Sequence, residues 1–402
     1  MTARPPVSVI VVSHGRPALL RRALTGIGQL FYRPFELVVI ADAEGLAAIS
    51  DLPFYDRIKT ATQEAPNISA ARNRGAELAS GEVLAFIDDD AVPEPTWLDH
   101  LIFPLLETDT AATTGTVLGR NGISIQWANR CVDAHGQAQQ VGPDGVPANH
   151  AIKLEGTNMA IRREVLFALG GFDEGFGFYL DETDLAFRLM THGYRTAIAP
   201  LATVHHGFAA SKRRTEARVP LDLSDIGSST VRYLHKHARP GDIAEAVGVA
   251  RAEQQRRLDR LVRARLIGKD EAARLLNTLI DGLQRDQDPV EESFLRRDLA
   301  ASFRPLLTKP SDEPVVLAGR WFSRRNLMNQ AGRAASSGRS TSLFLLDHTI
   351  RAHRVQFTPD GVWLQSGGLF GRTQRDSPRF SYWSFDQRIR METGRLHRIR
   401  WN

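Results

Sequence analysis

The sequence predicts an α/β fold in which a mostly parallel sheet is covered by helices. Over about the first 210 residues, short apolar runs alternate with segments whose apolar residues recur every three or four positions. This alternation is typical of strands connected by helices. The chain has 402 residues, of which 42% are hydrophobic, so it can bury the core of a full domain and of a second, smaller unit.

Seven segments have the composition of buried strands, because β-branched and apolar residues dominate them and polar or turn residues follow. In chain order they are residues 7–13, 35–42, 58–63, 82–88, 111–118, 153–161 and 195–206. Five segments between these strands place their apolar residues on one helical face. They are residues 16–30, 67–80, 96–107, 162–170 and 182–193.

The remainder of the chain has a different texture. Residues 119–150 are rich in Gly, Pro, Asn and Gln, which is typical of a functional loop or lid. The apolar residues between 258 and 283 predict one or two amphipathic helices, whose apolar face packs on the protein or, as the alternative, lies on a membrane surface. Short β-like runs follow at residues 314–321, 342–349, 353–358 and 361–367. We expect a first domain (1–220), a helical extension (221–310) and an arginine-rich, β-containing region without an assigned role (311–402).

The basic character of the chain is concentrated in its last part. The formal charge is +5, but residues 311–402 carry 15 arginines, no lysine and 7 acids, which gives +8 and leaves −3 for residues 1–310. Such a tail suits an anionic membrane surface, a nucleic acid or an acidic partner chain. Composition alone does not choose between them.

Cysteine content and hydropathy constrain the compartment. The single cysteine, Cys131, excludes an internal disulfide and a multi-cysteine zinc module. No apolar run reaches the roughly 18 residues of a membrane span, and the first residues lack a signal-peptide pattern. We therefore expect a cytoplasmic protein, with peripheral contact to the inner face of the membrane as a further option.

Three consecutive acids, Asp88, Asp89 and Asp90, follow directly after an apolar strand. Carboxylates at the carboxyl end of a parallel strand lie at the sheet edge where α/β proteins bind ligands. Oxygen ligands on a short turn suit Mg²⁺ or Mn²⁺, which bridge carboxylates to substrate phosphates. A solvated turn before a helix explains the same residues, so the acids alone leave both interpretations open.

Polar residues also follow other predicted strands and helix starts. Asp42 ends the second strand, where a carboxylate can bind a base or a ribose, and Arg72 and Asn73 lie in the first turns of a helix, where they can meet phosphate. Asp181 and Glu182 begin another helix after a loop rich in glycine and aromatic residues. Acids are favoured at a helix N-terminus in any case, so an ordinary first turn remains an alternative for this pair.

These motifs, in this order, resemble those of family 2 glycosyltransferases. The segments that carry the resemblance are SVIVVSHGRPALLRRAL, ELVVIAD, NISAARNRGAELASGEVLAFIDDDAVPEPTWL, GTNMAIRREVLFALGGFDEGFGFYLDETDLAFRL and a final HH. The resemblance covers residues 6–210 and makes the first domain the catalytic one. It implies a GT-A fold, a Rossmann-like nucleotide-diphospho-sugar transferase fold with a mixed, mostly parallel sheet flanked by helices. Beyond residue 240 it implies nothing, and there we expect a helical and short-β extension.

The resemblance also assigns roles to individual residues. It implies that Asp90 binds a divalent cation, Mn²⁺ or Mg²⁺, with support from Asp88 and a histidine. It implies that Glu182 is the general base and that Asp181 completes the acidic pair. The residues expected to bind the nucleotide sugar are Ser13, Asp42, Asn67, Arg72, Asn73, Asp88, Asp89, Gly156 and Asn158. Asp89 has no separate role in this assignment.

Two further residues are alternatives within this site. His205 and His206 end the last predicted strand, and adjacent side chains on a strand point to opposite faces, so only one of them can bind the metal. We choose His206. Trp127, in the irregular segment, is either a sugar-stacking platform or a core anchor.

The implied function is that of an inverting, metal-dependent glycosyltransferase of the hexosyltransferase type. It would move a sugar from a UDP-, dTDP- or GDP-sugar to a hydroxyl acceptor, such as a glycan or a lipid-linked glycan, in polysaccharide or glycoconjugate biosynthesis. Further expected partners are a membrane surface, through the basic C-terminal region, and a second copy of the chain, but not nucleic acid.

Two other classes of function remain as alternatives. A nucleotidyltransferase or phosphatase could use the same acids, but the first loop, SHGRPALL, lacks a glycine-rich phosphate loop and a nucleophilic Asp motif. A non-catalytic adaptor would be expected to lose at least one of Asp88, Asp90 and Glu182, and all three are present.

Overall fold

A computed structural model of the chain describes residues 4–107, 109–207, 213–285, 295–307, 314–375 and 377–401. The strands within these ranges are β1 (Val7–Val12), β2 (Phe35–Ala41), β3 (Lys59–Thr62), β4 (Val83–Asp88), β5 (Ala91–Pro93), β6 (Thr110–Leu118), β7 (Ile125–Trp127), β8 (Arg130–Val132), β9 (Ala138–Gln140), β10 (Ala151–Ile152), β11 (Met159–Arg162), β12 (Arg195–His206), β13 (Val315–Arg320), β14 (Thr341–Asp347), β15 (Arg354–Phe357) and β16 (Val362–Gly368). The α-helices are α1 (Pro17–Ile27), α2 (Ala43–Ala47), α3 (Ile68–Leu78), α4 (Trp97–Ile102), α5 (Arg163–Ala168), α6 (Asp181–Thr191), α7 (Ser224–His237), α8 (Ile243–Arg263), α9 (Lys269–Leu283), α10 (Arg324–Ser336) and α11 (Phe385–Arg400).

The main sheet has the order β3-β2-β1-β4-β11-β6-β12-β5, and β7 adds to β6. Strands β3, β2, β1 and β4 are parallel, β11 is antiparallel to both its neighbours, and β12 is parallel to β6 but antiparallel to β5. The sheet is therefore mixed and mostly parallel, which confirms the predicted fold class. Val12 pairs with both Ile40 and Asp88, so the carboxyl ends of β1, β2 and β4 meet at one edge.

The core lies on both faces of this sheet, which explains why its central strands are continuously apolar. Val9 and Val11 of β1 face α1 and α4, where they join a cluster with Leu24 and Trp97. Ile10, between them, faces the opposite side and joins a second cluster that includes residues of α5 and α6. Alternate residues of a strand point to opposite faces, so this one short strand supports two core layers.

Two parts of the first domain differ from the sequence prediction. The strand expected at residues 153–161 begins only at Met159, because the Asn158 amide bonds to the carbonyl of Glu155 at 2.7 Å and closes a tight turn. The segment 119–150, expected to be irregular, contributes β7 to the main sheet and builds a small sheet of order β10-β8-β9 with the strand that follows it. Strands of two or three residues are too short for a periodic pattern to reveal them.

The helices α7, α8 and α9 pack around Leu223, Leu258, Leu275 and Leu279. Helices α7 and α9 approach closely at Gly227 and Gly282, where an added Cβ would lie within 2.5 Å of the facing backbone. The apolar faces predicted for residues 258–283 therefore pack on one another. No helix in the described ranges combines the length and the apolar character that a membrane span requires.

The C-terminal region contains a second sheet of order β13-β14-β16-β15, in which the first three strands are parallel. The four predicted β runs match these strands, whereas α10 and α11 were not predicted. This region packs on the first domain: Val92 of β5 forms an apolar cluster with Val355, Phe357 and Trp363. The extension is thus helical with short strands, as predicted.

Candidate functional site

The three consecutive acids after β4 have three different environments. Asp88 is partly exposed and lies 3.3 Å from a guanidinium nitrogen of Arg72. Asp89 is fully buried, accepts a 2.7 Å hydrogen bond from Ser13 Oγ and pairs with Arg16 at 2.6 Å. Asp90 is also buried and lies 3.1 Å from Nε2 of His206. The positive charges that offset this acidic turn come from Arg16, from Arg72 and from Arg214, which lies 3.7 Å from Asp90.

Asp89 has an internal role in the structure. Burial, together with the neighbouring carboxylates, raises the pKa of Asp89 to about 7 in spite of Arg16 and Ser13. Its contacts tie the turn after β4 to the loop after β1. The expected contacts of Ser13 and Asp89 with a nucleotide sugar stay predictions, because the two side chains bind one another here.

Asp88, Asp90 and His206 form a group suited to a metal ion. Each offers one ligand atom, and these atoms all lie within 4.8 Å of one another. The antiparallel pairing of His206 with Ala91 brings the histidine beside Asp90. His205 points to the other face, where its Nε2 lies 2.7 Å from Glu94. The structure therefore places His206, and not His205, at the acids.

Arg72 is the centre of the site and connects three of its segments. This side chain of α3 is almost completely buried, and it bonds to Asp181, to Asp88 and, at 3.1 Å, to the carbonyl of Gly156. A Cβ at Gly156 would lie 2.6 Å from the guanidinium, so the glycine allows this close approach. Arg72 thus orients the two acidic segments relative to one another.

The predicted asparagines hold the walls of the site. Asn67 caps α3 by accepting from the amide of Ala70, and Asn73 exchanges two hydrogen bonds of 2.8 Å with the backbone of Phe172. These contacts fix the glycine-rich loop before α6. Asn158 is fully buried and donates to the carbonyls of Thr116 and Ala202, so it holds β6 and β12 together. Contacts of all three asparagines with a ligand remain predictions.

Asp42 lies at the same edge, one residue beyond β2. One oxygen accepts from the amide of Gly45 at 2.8 Å and caps α2, while the other accepts from the amide of Gly15 at 2.5 Å. His14 lies 3.6 Å from the same carboxylate. Asp42 therefore fixes the loop after β1, and its predicted contact with the nucleotide stays a prediction.

Asp181 and Glu182 begin α6 after two residues with left-handed backbone. Tyr179 has φ 75° and Leu180 has φ 66°, a conformation that costs free energy for residues other than glycine and is often found at functional sites. The Asp181 side chain is 3% exposed and bonds to Arg72, whereas the Glu182 side chain is 19% exposed. Glu182 is therefore the member of the pair that a ligand can reach.

The two adjacent carboxyl groups have opposite protonation preferences. Burial disfavours the Glu182 carboxylate, but the Lys153 ammonium at 2.9 Å and the Arg72 guanidinium outweigh it and lower the pKa of Glu182 to about 2. Burial, with the charge of Glu182, raises the pKa of Asp181 to about 7 against the effect of Arg72. Such separation of neighbouring pKa values is frequent at catalytic sites.

Sequence reasoning missed two charged residues of this site. Arg16 pairs with Asp89 and lies 3.3 Å from Asp90. Lys153 bonds to both Glu182 and Thr183. A signal for Lys153 was present, because it is the single charged residue in the run AIKL and a lysine is seldom buried without a partner.

Trp127 lies beside the metal-ligand group. Its ring centroid is 5.5 Å from that of His206, and the guanidinium of Arg130 lies 5.5 Å from its ring. Trp127 also packs against the main core. The structure therefore supports the core-anchor alternative, and a stacking contact with a sugar stays a prediction.

Comparison with known proteins gives a family for part of the chain. Residues 8–167 match the family model described as Glycosyl transferase family 2. The chain is 29% identical over 227 residues to the O-antigen biosynthesis protein RfbC of Myxococcus xanthus, which covers 52% of this chain and 18% of that protein. It is 26% identical over 218 residues to the probable glycosyltransferase YdaM of Bacillus subtilis, covering 50% of each. The chain thus spans half or less of these two relatives.

A third relative is the glucosyl-dolichyl phosphate glucuronosyltransferase of Haloferax volcanii, 31% identical over 184 residues, with 42% of this chain and 57% of that protein covered. Among solved structures, GalNAc-T7 with UDP, GalNAc and Mn²⁺ has a TM-score of 0.45 and 19% identity, and covers 59% of this chain and 48% of the other. The mannosyltransferase PcManGT from Pyrobaculum calidifontis with GDP-Man and Mn²⁺ has a TM-score of 0.43 and 17% identity, and covers 70% and 86%.

Proposed function

Because residues 8–167 belong to glycosyl transferase family 2, we propose that the chain is an inverting, metal-dependent glycosyltransferase of the hexosyltransferase type. The observation that carries the proposal is the pairing of two groups across Arg72. On one side are the metal-ligand atoms of Asp88, Asp90 and His206, and on the other is the acidic pair at the start of α6. This is the arrangement that sugar transfer needs, with a cation at the leaving group and a base at the acceptor.

The donor atoms fit a hard divalent cation. Two carboxylate oxygens and one imidazole nitrogen suit Mn²⁺, whereas Mg²⁺ is held mostly by oxygen ligands and water. When bound, such an ion neutralises the negative charge that develops on a leaving diphosphate. We therefore assign Asp88, Asp90 and His206 to the metal and expect Mn²⁺ to be preferred over Mg²⁺.

Glu182 is the proposed general base. Its carboxylate is ionised and partly exposed, while Asp181 is buried and holds Arg72. As the acceptor oxygen bonds to the anomeric carbon, Glu182 takes the hydroxyl proton and the bond from that carbon to the diphosphate breaks. This single displacement inverts the anomeric carbon and requires no covalent intermediate.

Lys153 restrains this base in the structure. A carboxylate with a pKa near 2 accepts a proton weakly. Lys153 and Thr183 both contact Oε1 of Glu182. We propose that the acceptor hydroxyl replaces Lys153 at Glu182, which makes the carboxylate more basic only when the acceptor is in place.

The substrates and partners follow the predictions from the sequence. We propose a UDP-, dTDP- or GDP-sugar as donor and a glycan or lipid-linked glycan as acceptor. Relatives named for O-antigen biosynthesis and for glucosyl-dolichyl phosphate support this acceptor class. We also propose that the chain divides into the three parts 1–220, 221–310 and 311–402 and that it pairs with a second copy. We propose a cytoplasmic location with a peripheral membrane contact.

A donor panel tests the proposed function. The chain is heated with each UDP-, dTDP- and GDP-sugar, with Mn²⁺, with Mg²⁺ and without metal. A ligand that binds the folded state raises the melting temperature, so we expect one nucleotide class to do so only with metal present. If no donor shifts the melting temperature and none is slowly hydrolysed, the proposal is wrong.

A further inference from the structure

Besides Val316 within β13, five large apolar side chains are exposed in the described part of the C-terminal region. They are Trp321, Phe322, Ile350, Phe380 and Tyr382, with Phe322 89% and Tyr382 83% exposed. We call these five residues the aromatic edge. Single exposed apolar residues are common on protein surfaces, but a group of them marks an interaction site.

The strand register brings the first three of these residues together. Strands β13, β14 and β16 are parallel and paired without shifts, so their carboxyl ends lie at one edge of the sheet. Trp321 and Phe322 follow directly after β13, and Ile350 lies three residues after β14. These three side chains therefore belong to the same edge.

Phe380 and Tyr382 reach this edge through Phe370, which lies two residues after β16. The Phe370 ring centroid is 5.9 Å from that of Phe380 and 5.8 Å from that of Tyr382. A second contact joins the end of β13 to the start of α11, because the guanidinium of Arg320 lies 4.5 Å from the centroid of the Phe385 ring. Phe370 also donates its backbone N–H to the carbonyl of Thr349, next to Ile350, at 3.1 Å, so the segments that carry these five side chains meet at one edge of the sheet.

Arginines flank the aromatic edge. Residues 314–339 contain five arginines and no acid. Arg324 and Arg325 are exposed in the first turn of α10, where the helix dipole disfavours positive charge. Among the described residues, the acids close in sequence to this edge are Asp347, which pairs with Arg351, and Asp386. Arg324 also lies over the Trp321 ring, with its guanidinium 4.9 Å from the ring centroid, so positive charge borders the aromatic edge at this point.

We propose that the aromatic edge docks on the surface of an anionic phospholipid bilayer. Trp, Tyr and Phe side chains favour the boundary between headgroups and acyl chains, and arginine binds phosphate with two parallel hydrogen bonds. A nucleic acid would also bind the arginines, but it offers no apolar layer for Phe322 and Ile350. The proposal concerns a surface distinct from the metal site and does not rest on the sugar-transfer activity.

The aromatic edge is rigidly connected to the first domain. Arg400, the last residue of α11, is fully buried and pairs with Glu94 beyond β5 through two nitrogens, one of them 2.7 Å from Oε2. Helix α11 has 16 residues, so about 24 Å separate its ends. Docking at the Phe385 end would therefore leave the Arg400–Glu94 pair at most about that far from the docked surface.

Vesicle sedimentation tests the apolar part of this surface. The full chain is mixed with vesicles of phosphatidylcholine alone or with added phosphatidylglycerol. We expect binding only to the anionic vesicles, and at least a tenfold loss of binding in the Trp321→Ala/Phe322→Ala variant, because two exposed rings leave the boundary. The matched control is Phe103→Ala, which removes a 70% exposed ring from the first domain and should bind normally.

The charged part is tested in the same way. Arg324→Gln/Arg325→Gln should weaken binding about 30-fold, since each arginine at an anionic surface contributes roughly fivefold. Arg256→Gln/Arg260→Gln removes the same charge from exposed positions of α8 and should have little effect. If both double variants lose vesicle binding equally, the overall charge of the chain attracts it to the membrane, and the aromatic edge is not a specific docking surface.

A spectroscopic variant keeps the test valid if a double substitution unfolds the chain. Brominated lipid in the anionic vesicles should quench tryptophan fluorescence of the wild type, and Trp321→Phe should bind equally well but lose much of that quenching. The proposal is overturned if neutral and anionic vesicles bind alike. It is also overturned if heparin or DNA binds the chain and the aromatic variants leave vesicle binding unchanged.

Discussion

At the scale of single residues, Glu182 and Asp181 show how position within one turn separates chemical roles. Both are at the start of α6, but Asp181 faces Arg72 and Glu182 faces Lys153. We expect Glu182→Gln to lower turnover by about 100- to 10,000-fold, because the proposed base is lost. Metal-dependent donor binding, measured by calorimetry, should hardly change.

Asp90→Ala is the counterpart of this variant. It removes one of the three metal-ligand groups, so we expect donor binding in the presence of Mn²⁺ to weaken strongly. Calorimetry of both variants with the same donor separates the two roles. Equal loss of binding in Glu182→Gln and Asp90→Ala would contradict the division between base and metal site.

Lys153 gives a prediction about pH. Its contact depresses the pKa of Glu182 to about 2, below the roughly 4.3 of an unfolded glutamate. The contact therefore stabilises the fold above about pH 4, and this contribution is lost as the pH falls toward 2. In Lys153→Met, burial would dominate and raise the pKa of Glu182. The acid limb of kcat/KM should then move to higher pH.

A shift of the acid limb in Lys153→Met has to be assigned to one of the charged groups around Glu182. Besides Lys153, they are Arg72 from α3 and Asp181 from its own helix. Lys153→Arg keeps the positive charge and should restore the acid limb of the wild type. An acid limb that is identical in Lys153→Met and wild type would show that Lys153 does not control the base.

At the scale of elements, the turn before β11 contacts Arg72 closely, and this approach requires a glycine at position 156. Gly156→Ala would place a Cβ 2.6 Å from Arg72, and the guanidinium cannot move freely because Asp181 and Asp88 bind it. We expect a loss of about 1–3 kcal/mol in the free energy of unfolding and weaker donor binding. Gly142→Ala is the control, since no heavy atom lies within 4 Å of its added Cβ.

Unfolding and donor titration measure both effects. If Gly156→Ala binds donor as well as Gly142→Ala does, Arg72 does not organise the site.

The elements also show what the sequence can and cannot predict. Buried strands of the main sheet were predictable because their apolar runs are continuous, and so were the acids at their ends. Helix α11 was not, because its buried face includes Arg388, Glu392 and Arg400, and charged residues give no apolar period. The available signals were its capping box of Ser384 and Gln387, the acid in its first turn and the basic residues in its last turn.

For the site as well, features with a local sequence pattern could be predicted, and features that depend on distant contacts could not. Parity along β12 predicts that only one of His205 and His206 can face the acids, but the choice depends on the pairing of β12 with β5. Because β5 has three residues, no periodic pattern reveals it. Arg16 was missed for a related reason, since its partners Asp89 and Asp90 are distant in sequence and a lone basic residue has no local pattern. Lys153 differs, because its place in the run AIKL was a signal of a buried charge, but nothing local pointed to its partner Glu182.

At the scale of the whole molecule, the C-terminal region contacts the residues next to the proposed metal site. Glu94 is buried between Arg400 and His205, and both lower its pKa to about 2 although burial opposes this. His205 precedes the proposed metal ligand His206. Residue 400 is thus connected to the metal site through two side chains.

Arg400→Met should therefore affect both stability and metal binding. Breaking a buried ion pair leaves an uncompensated charge and costs about 3–5 kcal/mol, so we expect a clear fall in melting temperature. The control is Arg398→Met, which changes an exposed side chain two residues before Arg400 and should leave the melting temperature unchanged. Replacing both partners, as Glu94→Leu/Arg400→Met, should recover part of the loss, because no buried charge then lacks its partner.

Mn²⁺ titration of these variants distinguishes support of the metal site from stability alone. Arg400→Met should weaken Mn²⁺ binding even at a temperature where the variant is fully folded, since Glu94 no longer holds His205 and the end of β12 in place. If Arg400→Met loses stability but binds Mn²⁺ as the wild type does, the C-terminal region stabilises the first domain without positioning its metal ligands.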